Sequence, residues 1–444
     1  MKKVLIIGWD CGSPDIVFNK LTEKLPGVRK IMKEGFYSPI KSCHPPITIP
    51  AWQVMLTGKS PGELGLYGFR YRIDNSYTDF SITTSSDIKE KRVWEVLDEK
   101  KGLKSILSGI PPSFPVFKIN GCLISCFITP DNNRDYTYPV ELKKEIEDLV
   151  GEYPFDVKFR TDNKETLKKE VFDMTEKHFK VFDYFLKNKE WNFAMHVEIG
   201  LDRVHHAFWR YFDPAHHLYE PDSEFKNVIP DYYKLLDKWL GRFIEIMDEN
   251  TLLIVVSDHG AKRMKGAFCV NQWLEKIGYL KFKEKPKKGD RIQKANINWK
   301  KTKAWGWGGY YSRIFFNVKG REEQGIIKEK NLKKEIEKLK RKIQDFKGSE
   351  GEKWNNKVYT PYELYENPKG DLSDLLVYWD DLYWRVAGTV GHETMFLREN
   401  DTGPDDGVHD WYGLFMAYNK KEKLNFGNNL EIKDVFDIII EWMK

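Results

Sequence analysis

Short, almost wholly apolar runs constrain this chain most: VLIIG at Val4–Gly8, then Cys122–Ile128, Phe193–Ile199 and Leu252–Ser257. Such runs are short for helices and too continuously apolar for strands with one wet face. They read as strands buried on both faces of a parallel sheet. Helical patterns lie between them at Pro139–Val150, Lys164–Leu186 and Ile229–Met247. Strands that alternate with helices predict the α/β class, a doubly wound, mostly parallel sheet flanked by helices. With 444 residues, 41% of them apolar, the chain is long enough to bury such a core.

We read residues 1–444 as a single catalytic domain, with a subdomain formed by excursions over residues 281–400. That stretch opens on KFKEKPKKGDRIQKANINWK, which has no clear period and reads as a surface excursion. The aromatic-rich pieces AWGWGGYYSRIFFNV and VYTPYELYE follow and predict extra strands outside the main sheet. In Lys328–Phe346 the apolar residues Leu332, Ile336, Leu339 and Ile343 share one helical face, so this lysine-rich run reads as an amphipathic helix with a solvated side.

The 72 basic and 67 acidic residues nearly balance, which argues against a nucleic-acid footprint. No segment approaches the roughly 18 apolar residues of a membrane span. The opening apolar run breaks at Gly8, Trp9 and Asp10, too early for a secretory signal. Five scattered cysteines suggest neither a disulfide framework nor a structural zinc site. The expectation is a soluble cytoplasmic protein whose oligomeric state the sequence leaves open.

Ligands of open parallel sheets bind at the carboxyl ends of the strands. Asp10 follows the first run, Asp202 and His206 follow the third, and Asp258–His259 follows the fourth; His409 precedes the late apolar segment WYGLFMAY. Three carboxylates and three imidazoles suit zinc, or manganese if the site is richer in oxygen, and they suffice for two divalent ions. Thr48 lies in HPPITIPAWQVMLTG, where Pro45, Pro46 and Pro50 predict a helix that starts there and runs through Leu56. At or near its N-cap, Thr48 has two available roles. It caps the helix, or it is a nucleophile aimed at a phosphorus held by the helix N-terminus.

The pieces GWDCGSPD, PPITIPAWQVMLTGKSPGELGLYGF, GLDRVHH, SDHG and VHDWYGLFMAY, in this order, resemble the alkaline phosphatase superfamily and, most closely, its type I phosphodiesterase/nucleotide pyrophosphatase branch. The resemblance implies one metal held by Asp10, Thr48, Asp258 and His259, and a second held by Asp202, His206 and His409. His206 is preferred to His205 because family members show Asp-x-x-x-His at this point. It also implies hydrolysis of a small phosphate ester or nucleotide through a phospho-threonine at Thr48. Two features depart from the family. The Asn that family members carry about twenty residues after the nucleophile is missing from GLYGFRYRID, which leaves Arg70 and Arg72 as the nearest phosphate-binding candidates. Leu64 stands where the family commonly has His. Alternatives on the same centre are a phosphomonoesterase or phosphomutase, and a non-catalytic phospholigand-binding protein is a further one. A sulfatase is excluded, because Thr48 supplies no Cys or Ser for conversion to formylglycine. Trp9, Trp305 and Trp307 are candidates for a base-stacking platform.

Overall fold

A computed structural model describes residues 1–444. Eight strands form the central sheet, in the spatial order Phe36–Lys41, Tyr412–Tyr418, Thr251–Val256, Lys3–Trp9, Phe193–Glu198, Ser105–Ser108, Gly121–Ile124 and Thr137–Tyr138. The run from Thr251–Val256 to Gly121–Ile124 is parallel throughout. Antiparallel strands flank it on both sides. The doubly wound α/β architecture expected from the apolar runs is therefore the one observed.

Alternate residues of the first strand serve opposite layers, as the two-residue period of a strand requires. Leu5, Ile7 and Trp9 join a core with the helices Lys164–Asn188, Gly200–Phe212 and Val228–Ile246. Val4 and Ile6 join a second core with the helices Thr48–Thr57, Val93–Lys101 and Asp434–Trp442. Gly8 shows why the second layer seats so closely. A Cβ there would stand 2.6 Å from Cη2 of Trp52 and 3.0 Å from Val197, so only glycine lets the helix carrying Thr48 press against the first strand.

One strand is shorter than expected and another was not foreseen. The run at Cys122–Ile128 pairs only over Gly121–Ile124 and then turns away. Ser105–Ser108, with two serines in four residues, offers too little pattern to be recognised and is nevertheless fully buried between two parallel neighbours.

A separate core gathers residues from Phe268 to Val390, together with Tyr77. Its frame is an antiparallel sheet in the order Ala304–Trp307, Ser312–Phe316, Leu375–Tyr378, Lys357–Tyr359. The helix Glu329–Gln344 buries Leu339 and Ile343 against it, and most of its lysines face outward, Lys340 excepted, which is buried and paired with Glu363. Trp305 and Trp307 are consumed in this core, and Trp9 is buried against Tyr233, so none of the three is free to stack on a ligand. No helix is long and apolar enough to cross a membrane.

Candidate metal centre

The parallel strands deliver their following residues to one edge of the sheet. Asp10 comes directly after the first strand, and Asp258 and His259 come after Thr251–Val256. Asp202 and His206 lie one turn apart on the helix Gly200–Phe212, so both face the same way. His409 arrives on the short strand Gly407–Asp410, which pairs with Gly260–Arg263 and so lies beside His259.

These residues form two sets, Asp10–Asp258–His259 and Asp202–His206–His409, in each of which the donor atoms lie within 4.8 Å of one another. In the first, Nε2 of His259 is 3.2 Å from Asp258 and 3.7 Å from Asp10. In the second, Oδ1 of Asp202 is 3.2 Å from Nε2 of His206 and 3.7 Å from Nε2 of His409. The His259 and His409 rings stack at 3.7 Å, which joins the sets into one cluster.

Hydrogen bonding fixes the tautomers. Nδ1 of His259 donates to the Gly260 carbonyl (3.1 Å), that of His409 to Pro46 (2.8 Å), and that of His206 to Asp405 (2.7 Å) and the Gly407 carbonyl (3.0 Å). Carbonyl oxygens only accept, so each Nδ1 carries a proton; in the neutral rings of His259 and His409 this leaves Nε2 with its lone pair turned inward, while Nε2 of His206 faces Oδ1 of Asp202. His205 points elsewhere, its Nδ1 donating to the Cys11 carbonyl.

Oδ1 of Asp10, Oδ1 of Asp202, Oδ2 of Asp258 and Nε2 of His409 are all buried without a hydrogen-bond partner. Buried polar atoms are rarely left so, and an inward group of orphaned donor atoms is the arrangement a cation would satisfy. The electrostatics agree. Burial, and then the neighbouring carboxylates, push Asp10 and Asp258 well above the usual carboxylate range. Asp202 is buried too, but His206 and Arg203 outweigh that and hold it well below, while His206 itself, although buried, is raised well above the ordinary imidazole range by Tyr310, Asp405 and Asp202. Burial lowers His259 to about 4 and, with His259 beside it, lowers His409 as well, so both rings are neutral and able to ligate.

Thr48 is not the N-cap of its helix. Ile47 occupies that position in extended conformation, Thr48 is the first helical residue, and its side chain makes no capping bond. The hydroxyl instead sits 3.4 Å from Nε2 of His259, at a helix end whose first amides lack intrahelical partners.

The two arginine candidates are placed differently. Arg72 is buried in ion pairs with Asp371 (2.9 Å) and Glu322 (3.3 Å), and its guanidinium lies 3.8 Å from the Phe315 ring centroid. Arg70 is exposed on the strand Arg70–Arg72, over Phe80. Arg72 is committed to subdomain contacts, Arg70 makes no ion pair, and neither belongs to the donor cluster.

The structure adds supporting residues. Trp52 donates its indole N–H to Oδ2 of Asp10 at 2.7 Å. Arg203 pairs with Oδ2 of Asp202 at 2.6 Å and is anchored by Asp156. Asp405 supports His206, and Tyr310, from the subdomain, places its hydroxyl 3.1 Å from Nε2 of His206 and stacks on His409. Arg203 lies inside GLDRVHH, so position hinted at it; Asp405 and Tyr310 carried no signal. A cavity of about 610 Å³ at the amino end of the sheet, lined by Leu252, Phe426 and Trp442 among others, contains none of the donors.

With this geometry in place, the sequence profile of the family "Type I phosphodiesterase / nucleotide pyrophosphatase" matches residues 4–411. This chain belongs to that family. The match spans every donor residue named above, and it makes the chain a phosphoester hydrolase. No curated protein matches it in sequence. Among solved structures, phosphonoacetate hydrolase from Sinorhizobium meliloti 1021, in complex with phosphonoformate, is similar with a TM-score of 0.65 at 11% identity, covering 100% of this chain and 96% of the other. Human ectonucleotide pyrophosphatase/phosphodiesterase 5 gives a TM-score of 0.55 at 14% identity, covering 100% and 95%. An inactive threonine-to-alanine variant of the murine protein, in complex with AMP, gives the same values. At these identities the likeness establishes the fold alone.

Proposed function

We propose that this chain hydrolyses a small phosphate ester or nucleotide through a phospho-threonine formed at Thr48, with the aid of two divalent cations. Asp10, Thr48, Asp258 and His259 would hold one cation, and Asp202, His206 and His409 the other. The mixture of imidazole and carboxylate favours zinc, with manganese second. When bound, such ions lower the pKa of a hydroxyl or water and offset charge on phosphoryl oxygens.

The observation that carries this reading is the uncapped Thr48 hydroxyl facing Nε2 of His259 at a helix N-terminus. Thr48 forms the new O–P bond while the alcohol leaves from the opposite side, and water then displaces Thr48 in the same way. The helix amides and dipole hold the anionic phosphoryl group in line. Trp52 and Arg203 fix the Asp10 and Asp202 carboxylates, so the site need not reorganise as charge develops. The AMP complex of the murine relative is consistent with a nucleotide as substrate.

The test is hydrolysis of bis-p-nitrophenyl phosphate and p-nitrophenyl phosphate, with zinc or manganese, by wild type and Thr48→Ala. Metal-dependent diester cleavage that disappears in the variant is expected. Full activity of Thr48→Ala sinks the nucleophile assignment, faster monoester cleavage moves the reading to a phosphomonoesterase, and turnover that survives chelation removes the cations.

A further inference from the structure

Cys11 follows Asp10 directly, yet the roles argued so far leave it idle. Its backbone lies in the left-handed region, with φ of 65°, where glycine is the usual occupant and a Cβ is disfavoured. The residue is wholly buried, its amide donates to Oδ1 of Asp258 (3.3 Å), and its thiol donates a weak hydrogen bond to the Gly260 carbonyl (3.4 Å), which ligation of a cation would replace. A residue kept in a strained conformation at the hinge between strand and cluster calls for a use of its side chain.

The position of the sulfur supplies one. Sγ of Cys11, a carboxylate oxygen of Asp202 and a ring nitrogen of His259 lie within 4.8 Å of one another. Asp202 belongs to one donor set and His259 to the other, so the sulfur stands where the two sets meet. Oδ1 of Asp202 is among the buried atoms without a partner.

We propose that Cys11 is a thiolate ligand of the dinuclear centre, seated at the junction of the two cation positions and selecting a thiophilic divalent ion such as zinc over manganese or magnesium. This rests on the metal-centre reading above. The sulfur–metal bond forms as the thiol proton leaves to solvent, without any redox change. A soft sulfur among hard carboxylates biases the site toward zinc in a way that Asp and His alone do not.

The experiment replaces native metal with cobalt(II) in the full chain and records its absorption for wild type, Cys11→Gly and Cys11→Ser. Glycine suits the left-handed backbone, so Cys11→Gly should keep the fold; thermal melting checks this. The expected result is a near-ultraviolet thiolate-to-cobalt charge-transfer band in wild type that both variants lose, while the visible cobalt bands persist. Chelator competition should show zinc affinity reduced about tenfold or more in Cys11→Gly, with manganese affinity nearly unchanged. Visible cobalt bands without the charge-transfer band in wild type overturn the thiolate and leave the metal centre standing. A charge-transfer band that persists in Cys11→Gly assigns the sulfur to another cysteine and equally overturns the proposal. Failure to bind cobalt or zinc at all overturns both readings.

Discussion

Replacing Asp405 with asparagine separates what a buried carboxylate does for His206 from what it does for the fold. Oδ1 of Asp405 accepts from Nδ1 of His206 at 2.7 Å, and Oδ2 accepts from Arg160 and Arg385, each at 3.0 Å. Asp405 is fully buried and Arg385 nearly so, whereas the Arg160 side chain is 26% exposed. Burial alone would raise this carboxyl, but His206, Arg385 and Arg160 together hold it below the usual range. The Asp405→Asn side chain would keep the shape but lose the charge and one acceptor: with its oxygen held by the two guanidiniums, its amide N–H₂ faces the Nδ1–H of His206. The His206 ring would stay oriented, because Nδ1 also donates to the Gly407 carbonyl at 3.0 Å. What Nε2 loses is basicity, and outer partners of this kind are worth ~10–100-fold in metal affinity. With the Gly407 carbonyl remaining, ~10-fold is expected, or about 1.4 kcal/mol. The uncompensated Arg385 adds a separate stability loss of about 3 kcal/mol, the lower end for breaking a buried pair, since water screens Arg160. Chelator competition measures the first quantity, and urea unfolding of the metal-free protein measures the second. A stability loss with unchanged metal affinity would refute the positioning argument and leave Asp405 a purely structural counter-ion.

Further outcomes follow from other contacts. Trp52→Phe removes the indole donor to Asp10 and should lower stability in urea by about 1 kcal/mol, the net scale of a buried hydrogen bond, while also weakening metal binding; unchanged metal affinity would count against Trp52 as a support of Asp10. Gly8→Ala forces a Cβ to within 2.6 Å of Trp52 and should cost about 1–3 kcal/mol, with an altered near-ultraviolet circular dichroism spectrum from the displaced indole. His178 faces an acceptor at each nitrogen, Glu198 at 3.0 Å and the Pro154 carbonyl at 2.6 Å; burial opposes its protonation, yet Glu198 and that carbonyl raise its pKa above the ordinary value. Its stabilisation is therefore complete below the unfolded pKa of about 6.5 and is lost as pH rises from there through the folded value, so melting temperature should fall over that interval in wild type and much less in Glu198→Gln. Parallel pH profiles for the two proteins would refute the ion pair.

Much of the site was readable because chemistry in a parallel sheet gathers at strand ends. Asp10 and Asp258–His259 each terminate an unmistakable apolar run, and Asp202 and His206 show helical spacing. Partnership was not readable. A sequence displays a guanidinium at Arg72 but not Glu322 and Asp371, which neutralise it from 250 and 299 residues away. The same limit hid Asp405 and Tyr310, whose roles exist only through contacts with His206. The Thr48 helix was foreseen from its prolines, but local propensity favoured Thr48 as its cap; the extended Ile47 took that place and freed the hydroxyl.

The strand Tyr412–Tyr418 carries a consequence for synthesis. It sits between Thr251–Val256 and Phe36–Lys41, and His409 lies just ahead of it. While a ribosome is still making the intervening residues, Thr251–Val256 presents an open, apolar edge, and the cluster lacks an imidazole. One late segment therefore closes the sheet and completes the donor set together. A nascent chain therefore has no finished centre for as long as this edge stays open, from the synthesis of residue 256 until that of residue 412.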